Sequence, residues 1–147
     1  MPFFHDQGRS SLRRMYVEAW RKHRESLPVE PVEAQIIGVI ELHPEYWQPL
    51  ESGSEELERD YKPEDGKTNP FLHMGLHLAI REQVGTDRPP GIRAIHQQLS
   101  QRAGDPHQAE HRMIECLGQA LWQAQRSGLP PDEQAYLERL RELAARR

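Results

Sequence analysis

Apolar side chains recur every three or four residues along most of this chain, which is the pattern of amphipathic α-helices. The first such stretch runs from Ser10 to about Ser26 and carries Leu12, Met15, Tyr16, Ala19 and Trp20 on one side. Five further stretches follow, at about 31–43, 69–84, 92–102, 106–126 and from 132 onward. No segment alternates at period two for long enough to predict a strand. The sequence therefore predicts an all-α fold, an up-down helical bundle of about five to six helices.

Proline, glycine and short polar side chains mark where these helices begin and end. Asn69-Pro70 and Asp105-Pro106 are pairs of an N-cap and a first-turn proline, and Asp132 caps the last helix. Residues 44–68 are rich in proline, glycine and acids, which predicts a long loop that would serve as a lid over a site. We expect one domain spanning residues 1–147.

Two pairs of histidines at helical spacing occupy the middle of the chain. His73 and His77 are four residues apart, and so are His107 and His111, with Glu110 inside the second pair. Residues four apart lie on one face of a helix, about 6 Å from each other. Both sets share a face with the apolar positions of their helices, so they are predicted to point into the core. Buried imidazoles and a buried carboxylate need partners, and one or two transition-metal ions would satisfy them together.

An alternating helix order would bring both pairs to the same end of the bundle. The helix that precedes the long loop would finish at that end, with Glu41 and His43 in its last turn, and His5 would lie nearby. The predicted metal ligands are His43, His73, His77, His107, Glu110 and His111. Glu33, Glu41, Glu115 and His5 are further candidates. Because Glu33 lies in the apolar stripe of its helix, it either supports the ligands from behind or pairs with an arginine.

Histidine and carboxylate donors without a thiolate suit divalent transition metals, with iron and zinc as the first candidates and manganese as another. A non-haem iron site would imply O₂ or redox chemistry, sensing or metal handling, and the histidine-rich helical site of hemerythrin is the nearer analogy. Two alternatives stay open. The first is a metal-free protein–protein interaction module in which the histidines form a buried network. The second is a zinc hydrolase that uses His107-x-x-Glu110-His111, a motif whose glutamate acts as general base.

Composition narrows the location and the partners of the protein. The chain has 147 residues, of which 29% are charged, and its net charge of −4 argues against nucleic acid as a partner. No apolar run reaches the roughly 18 residues of a membrane helix. The apolar stretch near the N-terminus is too short for a signal peptide, so a cytoplasmic location is expected. One cysteine, Cys116, excludes an intramolecular disulfide. A homodimer is compatible with either main hypothesis, whereas no small-molecule ligand or protein partner can be identified.

Three motifs resemble those of a bacterial family of small helical proteins known as a domain of unknown function. They are HPEY from His43, NPFLHMGLH from Asn69 and HxAEHRM from His107. The resemblance covers nearly the whole chain and is strongest between His43 and Tyr136. It implies a small cytoplasmic helical protein and supplies no activity. Members of that family often have a further histidine where this chain has Trp47, which would make the site here poorer by one ligand.

Overall fold

The computed structural model describes residues 6–52 and 69–146, and the part of the chain that it describes folds into helices alone. The described residues form seven α-helices: α1 (Asp6–Arg24), α2 (Pro31–Glu41), α3 (Trp47–Ser52), α4 (Pro70–Thr86), α5 (Ile92–Ala103), α6 (Pro106–Ser127) and α7 (Glu133–Ala145). A short 3₁₀ turn, Pro44–Tyr46, precedes α3. The all-α prediction is confirmed, and the number of helices in these ranges is slightly above the predicted five to six. No helix among the described residues has the length and apolar character needed to cross a membrane.

The chain divides into two compact units, Met1–Gly75 and Leu76–Arg147, and the division falls within α4. In the first unit α1 packs on α2 and α3. Its buried side chains include Trp20, Ile40 and Met74. The edge of the Phe71 ring meets that of Tyr16, with 5.7 Å between the ring centroids. The prediction of a single domain stays a prediction.

The face that α1 buries differs from the predicted one. Tyr16, Ala19 and Trp20 are buried as expected, but Leu12 and Met15 are 56% and 40% exposed. Arg13 is buried instead, with its guanidinium carbon 5.0 Å from the centre of the Phe71 ring. A guanidinium over an aromatic face gains a cation–π attraction while its aliphatic stem covers apolar surface. The helix therefore turns toward Arg13 and leaves two apolar side chains outside.

The predicted loop 44–68 begins with helical structure. Pro44 occupies the first position of the 3₁₀ turn, where a missing N–H costs nothing. The indole N–H of Trp47 donates to the carbonyl oxygen of Ile40 at 2.7 Å, and Leu50 is buried. The hydrogen bond joins Trp47 to the end of α2, and α3 packs on α1. Residues 53–68, the remainder of the predicted lid, lie outside the described residues.

The second unit has a continuous apolar core formed by the end of α4 with α5, α6 and α7. Its fully buried members include Ile80, Leu99, Met113 and Leu140. The hydroxyl of Tyr136 donates to the side-chain oxygen of Gln83 at 2.7 Å, which links α7 to α4. Gly104 and Gly128 end α5 and α6 with φ of +72°, a conformation that favours glycine. The core thus fixes α4 against α6, the two helices that carry the histidine pairs.

Candidate metal centre

Helix α4 contributes His77 to the second unit. The helix begins at the predicted place, since the side-chain oxygen of Asn69 accepts hydrogen bonds from the backbone N–H groups of Phe71 and Leu72 at 3.0 and 3.2 Å. This cap and the first-turn Pro70 set the phase of the helix. The imidazole of His77 is fully buried, as the apolar period predicted.

Helix α6 contributes His107, Glu110 and His111 from its first two turns. The carboxylate of Asp105 caps the helix by accepting from the backbone N–H of His107 at 3.0 Å. Glu110 is buried, whereas His107 and His111 are half-buried. The predicted cap, the first-turn proline and the inward face of this helix are all confirmed.

The imidazoles of His77, His107 and His111 form one cluster in the second unit. The rings of His77 and His107 stack 4.9 Å apart with 5° between their planes. His111 meets both rings edge-on, with centroid distances of 4.8 Å to His77 and 4.3 Å to His107. One nitrogen of each ring lies within 4.8 Å of the others. His77 and His107 are 30 residues apart along the chain, yet their helices bring three nitrogen donors to one place.

Glu110 contacts the cluster through His77 and also pairs with an arginine. Its Oε1 accepts a hydrogen bond from Nδ1 of His77 at 2.8 Å. The Nε–H of Arg81 donates to both carboxylate oxygens at 3.2 Å. Burial would by itself raise the pKa of Glu110, but the hydrogen bond from His77 and the charge of Arg81 outweigh it and lower that pKa overall. Glu110 is therefore an ionised carboxylate that can only accept hydrogen bonds.

Arg81 was not among the residues predicted for the site. It lies four residues after His77 on α4, which places it on the same face one turn further along. This four-residue spacing from His77 is the sequence feature that could have predicted Arg81 as part of the site. Arginine side chains on inward faces usually extend to solvent. The side chain of Arg81 is instead about two-thirds buried and pairs with the buried carboxylate of Glu110.

His43 and His73 lie in the first unit. His43 is buried, and its Nδ1–H donates to the carbonyl oxygen of Val39 at 2.8 Å. Its ring stacks on Tyr46 at 5.3 Å and meets the half-buried His73 edge-on at 5.0 Å. The hydrogen bond to Val39 leaves Nε2 of His43 as the nitrogen with a lone pair. The predicted ligand roles of both histidines stay predictions.

The additional candidate ligands from the sequence are Glu33, Glu41, Glu115 and His5. Glu33 accepts from Nζ of Lys22 at 2.9 Å and from the backbone N–H of Glu30 at 2.8 Å, where it completes a capping box at the start of α2. Of the two predicted roles for Glu33, a pairing with an arginine is not what the structure shows, since the charged partner is a lysine. Glu41 and Glu115 are exposed. His5 lies outside the described residues.

A family model described as "Domain of unknown function (DUF1841)" matches residues 8–142. The match reaches from α1 into α7 and so includes every described histidine discussed above. Comparison with curated proteins and with solved structures found no match.

Proposed function

The chain belongs to the DUF1841 family, a domain of unknown function, and we propose from its own side chains that it binds a divalent transition-metal ion. The ligands are the imidazoles of His77, His107 and His111. His43 and His73 stay further ligand candidates on sequence grounds.

One observation carries the proposal: three imidazole nitrogens from two helices lie within 4.8 Å of one another. Nitrogens bound to one tetrahedral ion at about 2.0–2.1 Å are about 3.3 Å apart. Small side-chain rotations would close the difference. Three imidazoles without a shared ion gain little from such proximity, whereas a bound ion uses all three lone pairs.

The donor set favours metals that accept imidazole. Zinc and iron fit this requirement, and manganese, which prefers carboxylate and water, fits it less well. Because His107 and His111 are half-buried, one side of the cluster is accessible for an exogenous ligand. When bound, zinc would supply Lewis acidity, and iron would add one-electron redox chemistry.

Metal content is the direct test. We expect about one equivalent of zinc or iron per chain in protein purified without a histidine tag, measured by elemental analysis together with an absorption spectrum. A His77→Ala/His111→Ala variant should lose that metal. A His23→Ala/His96→Ala variant removes the same number of imidazoles outside the cluster and should retain it.

Metal below one-tenth of an equivalent, or equal metal in both double variants, would refute the proposal. That result would favour the metal-free interaction module, because His77 and Arg81 already provide hydrogen-bond partners for the Glu110 carboxylate without an ion. The same ion pair argues against Glu110 as the general base of a zinc hydrolase, since an arginine partner reduces the basicity of a carboxylate.

A further inference from the structure

Glu110 contacts the imidazole of His77 at Nδ1, one of the two ring nitrogens. Because the carboxylate of Glu110 is paired with the guanidinium of Arg81, it accepts this hydrogen bond, and Nδ1 of His77 carries the proton. The lone pair is then on Nε2, at the opposite end of the ring. The hydrogen bond thus selects which nitrogen of His77 can bind a metal.

The same geometry decides whether Glu110 can be a ligand while it makes this contact. An ion on Nε2 would be about 2.0–2.1 Å from that nitrogen, and the imidazole ring separates it from the oxygen on Nδ1. The distance from the ion to that oxygen is on the order of 6 Å, compared with 2.0–2.2 Å for a metal–carboxylate bond. Glu110 therefore orients a ligand instead of binding the ion.

Arg81 holds Glu110 in that position. Its Nε–H is 3.2 Å from each carboxylate oxygen, and its guanidinium supplies the charge that a buried carboxylate requires. Glu110 also lies three residues after His107 on the face of α6 that carries the ligands. Without Arg81, rotation of its side chain would bring an oxygen donor toward the ion.

We propose that Glu110 and Arg81 are a positioning pair that fixes the tautomer of His77 and, by withholding the carboxylate from the ion, sets the metal preference of the site. The tautomer part stands on the hydrogen bond between Glu110 and His77, and the preference part rests on the proposed function. With all-imidazole donors the site prefers Zn²⁺ to Mn²⁺, and a freed carboxylate would narrow that preference.

The first experiment needs no metal. Long-range ¹⁵N–¹H spectra of the chelator-treated full chain should show His77 with its proton on Nδ1. In Glu110→Gln the ring should lose this fixed tautomer, because an amide can donate as well as accept. Glu115→Gln, an exposed glutamate on the same helix, is the matched control and should leave the spectrum unchanged. An Nε2-protonated ring in the unsubstituted protein, or an unchanged tautomer in Glu110→Gln, would overturn the proposal.

The second experiment measures Zn²⁺ and Mn²⁺ affinities by competition with a chelator. Glu110→Gln should weaken Zn²⁺ binding about 10–100-fold, the usual effect of losing such a partner. Arg81→Met should reduce the ratio of Zn²⁺ to Mn²⁺ affinity about tenfold or more, whereas Arg112→Met, an exposed arginine on α6, should not.

The outcomes separate this inference from the proposed function. Failure of the unsubstituted chain to bind either ion would refute the proposed function and the preference part together, while the tautomer spectrum would still decide the positioning part. Normal Zn²⁺ binding with an unchanged metal ratio in Arg81→Met would refute the preference part alone. A lower melting temperature with no change in tautomer or metal ratio would mark a merely structural pair and would also overturn the proposal.

Discussion

Binding of an ion to the three-imidazole cluster should raise the thermal stability of the protein. A ligand that binds only the native state stabilises it by RT ln(1 + [L]/Kd). His77 and the pair His107 and His111 come from different helices of the second unit, so the native arrangement is required to bring the three donors together. We propose to melt the chelator-treated protein with and without Zn²⁺, for the unsubstituted chain and for His111→Ala.

The expected shift in melting temperature can be estimated from the ratio of the Zn²⁺ concentration to Kd. With Zn²⁺ at about 100 times Kd, the stabilisation is about 2.7 kcal/mol. For a chain of this size about 1 kcal/mol corresponds to roughly 2–4 °C, so the melting temperature should rise by roughly 5–11 °C. His111→Ala leaves two of the three imidazoles. If that weakens binding about 100-fold, the same Zn²⁺ concentration contributes only about 0.4 kcal/mol, or roughly 1 °C.

A matched variant distinguishes the cluster from scattered histidines. His96 lies in the same unit on α5 and outside the cluster, so His96→Ala removes one imidazole without removing a proposed ligand. It should keep the full Zn²⁺-dependent shift in differential scanning calorimetry. Equal shifts in His96→Ala and His111→Ala, or a melting temperature that does not respond to Zn²⁺, would refute the reasoning.

Three further predictions concern other parts of the chain. The sequence predicts that His43 is a metal ligand, so His43→Ala should lower the Zn²⁺ affinity measured by calorimetric titration, and an unchanged affinity would remove it from the site. Leu140 is fully buried, so Leu140→Ala should cost about 2–5 kcal/mol in urea unfolding, and a cost below about 1 kcal/mol would contradict the described core. The hydrogen bond from the backbone N–H of Glu30 lowers the pKa of Glu33, and the hydrogen bond from Lys22 lowers it further. The ionised carboxylate of Glu33 therefore stabilises the fold at pH values above the ordinary pKa of glutamate. This stabilisation is lost as the pH falls through the lowered pKa. Glu33→Gln should therefore have a lower melting temperature than the unsubstituted protein at pH 7, and the two melting temperatures should converge below about pH 4. Equal melting temperatures at every pH would show that Glu33 is unpaired.

Much of the second unit could be predicted because its sequence signals are local. Asp105-Pro106 predicted both the start of α6 and, through the helical period, the inward direction of His107 and His111. Asn69-Pro70 did the same for α4 and His77. A cap followed by a proline fixes the phase of the first turn, and every later residue then follows at about 100°. The ligand candidates on these helices lie within the first eight residues, where little error in phase accumulates.

The structure differs from the sequence prediction where a contact outside the local pattern determines which side chains are buried. Arg13 replaces Leu12 and Met15 on the buried side of α1 because the ring of Phe71 offers it a cation–π partner almost 60 residues away. Residues 44–52 read as loop from their prolines and polar side chains, but a buried Leu50 and the hydrogen bond from Trp47 stabilise helical turns there. Neither partner is visible in the local pattern.

The role of Glu110 shows the same limit within the site itself. Its place between His107 and His111 predicts that it faces inward, and it is buried as that period requires. A metal ligand, a general base and an orienting carboxylate would all face inward, so the period cannot distinguish among the three. The distinction depends on His77 and Arg81, which lie 33 and 29 residues away on another helix. Because a hydrogen bond to Nδ1 of a histidine puts the oxygen far from an ion on Nε2, the identity of that one partner favours an orienting role for Glu110. Under the proposed function, His107-x-x-Glu110-His111 would then supply two ligands and the support of a third.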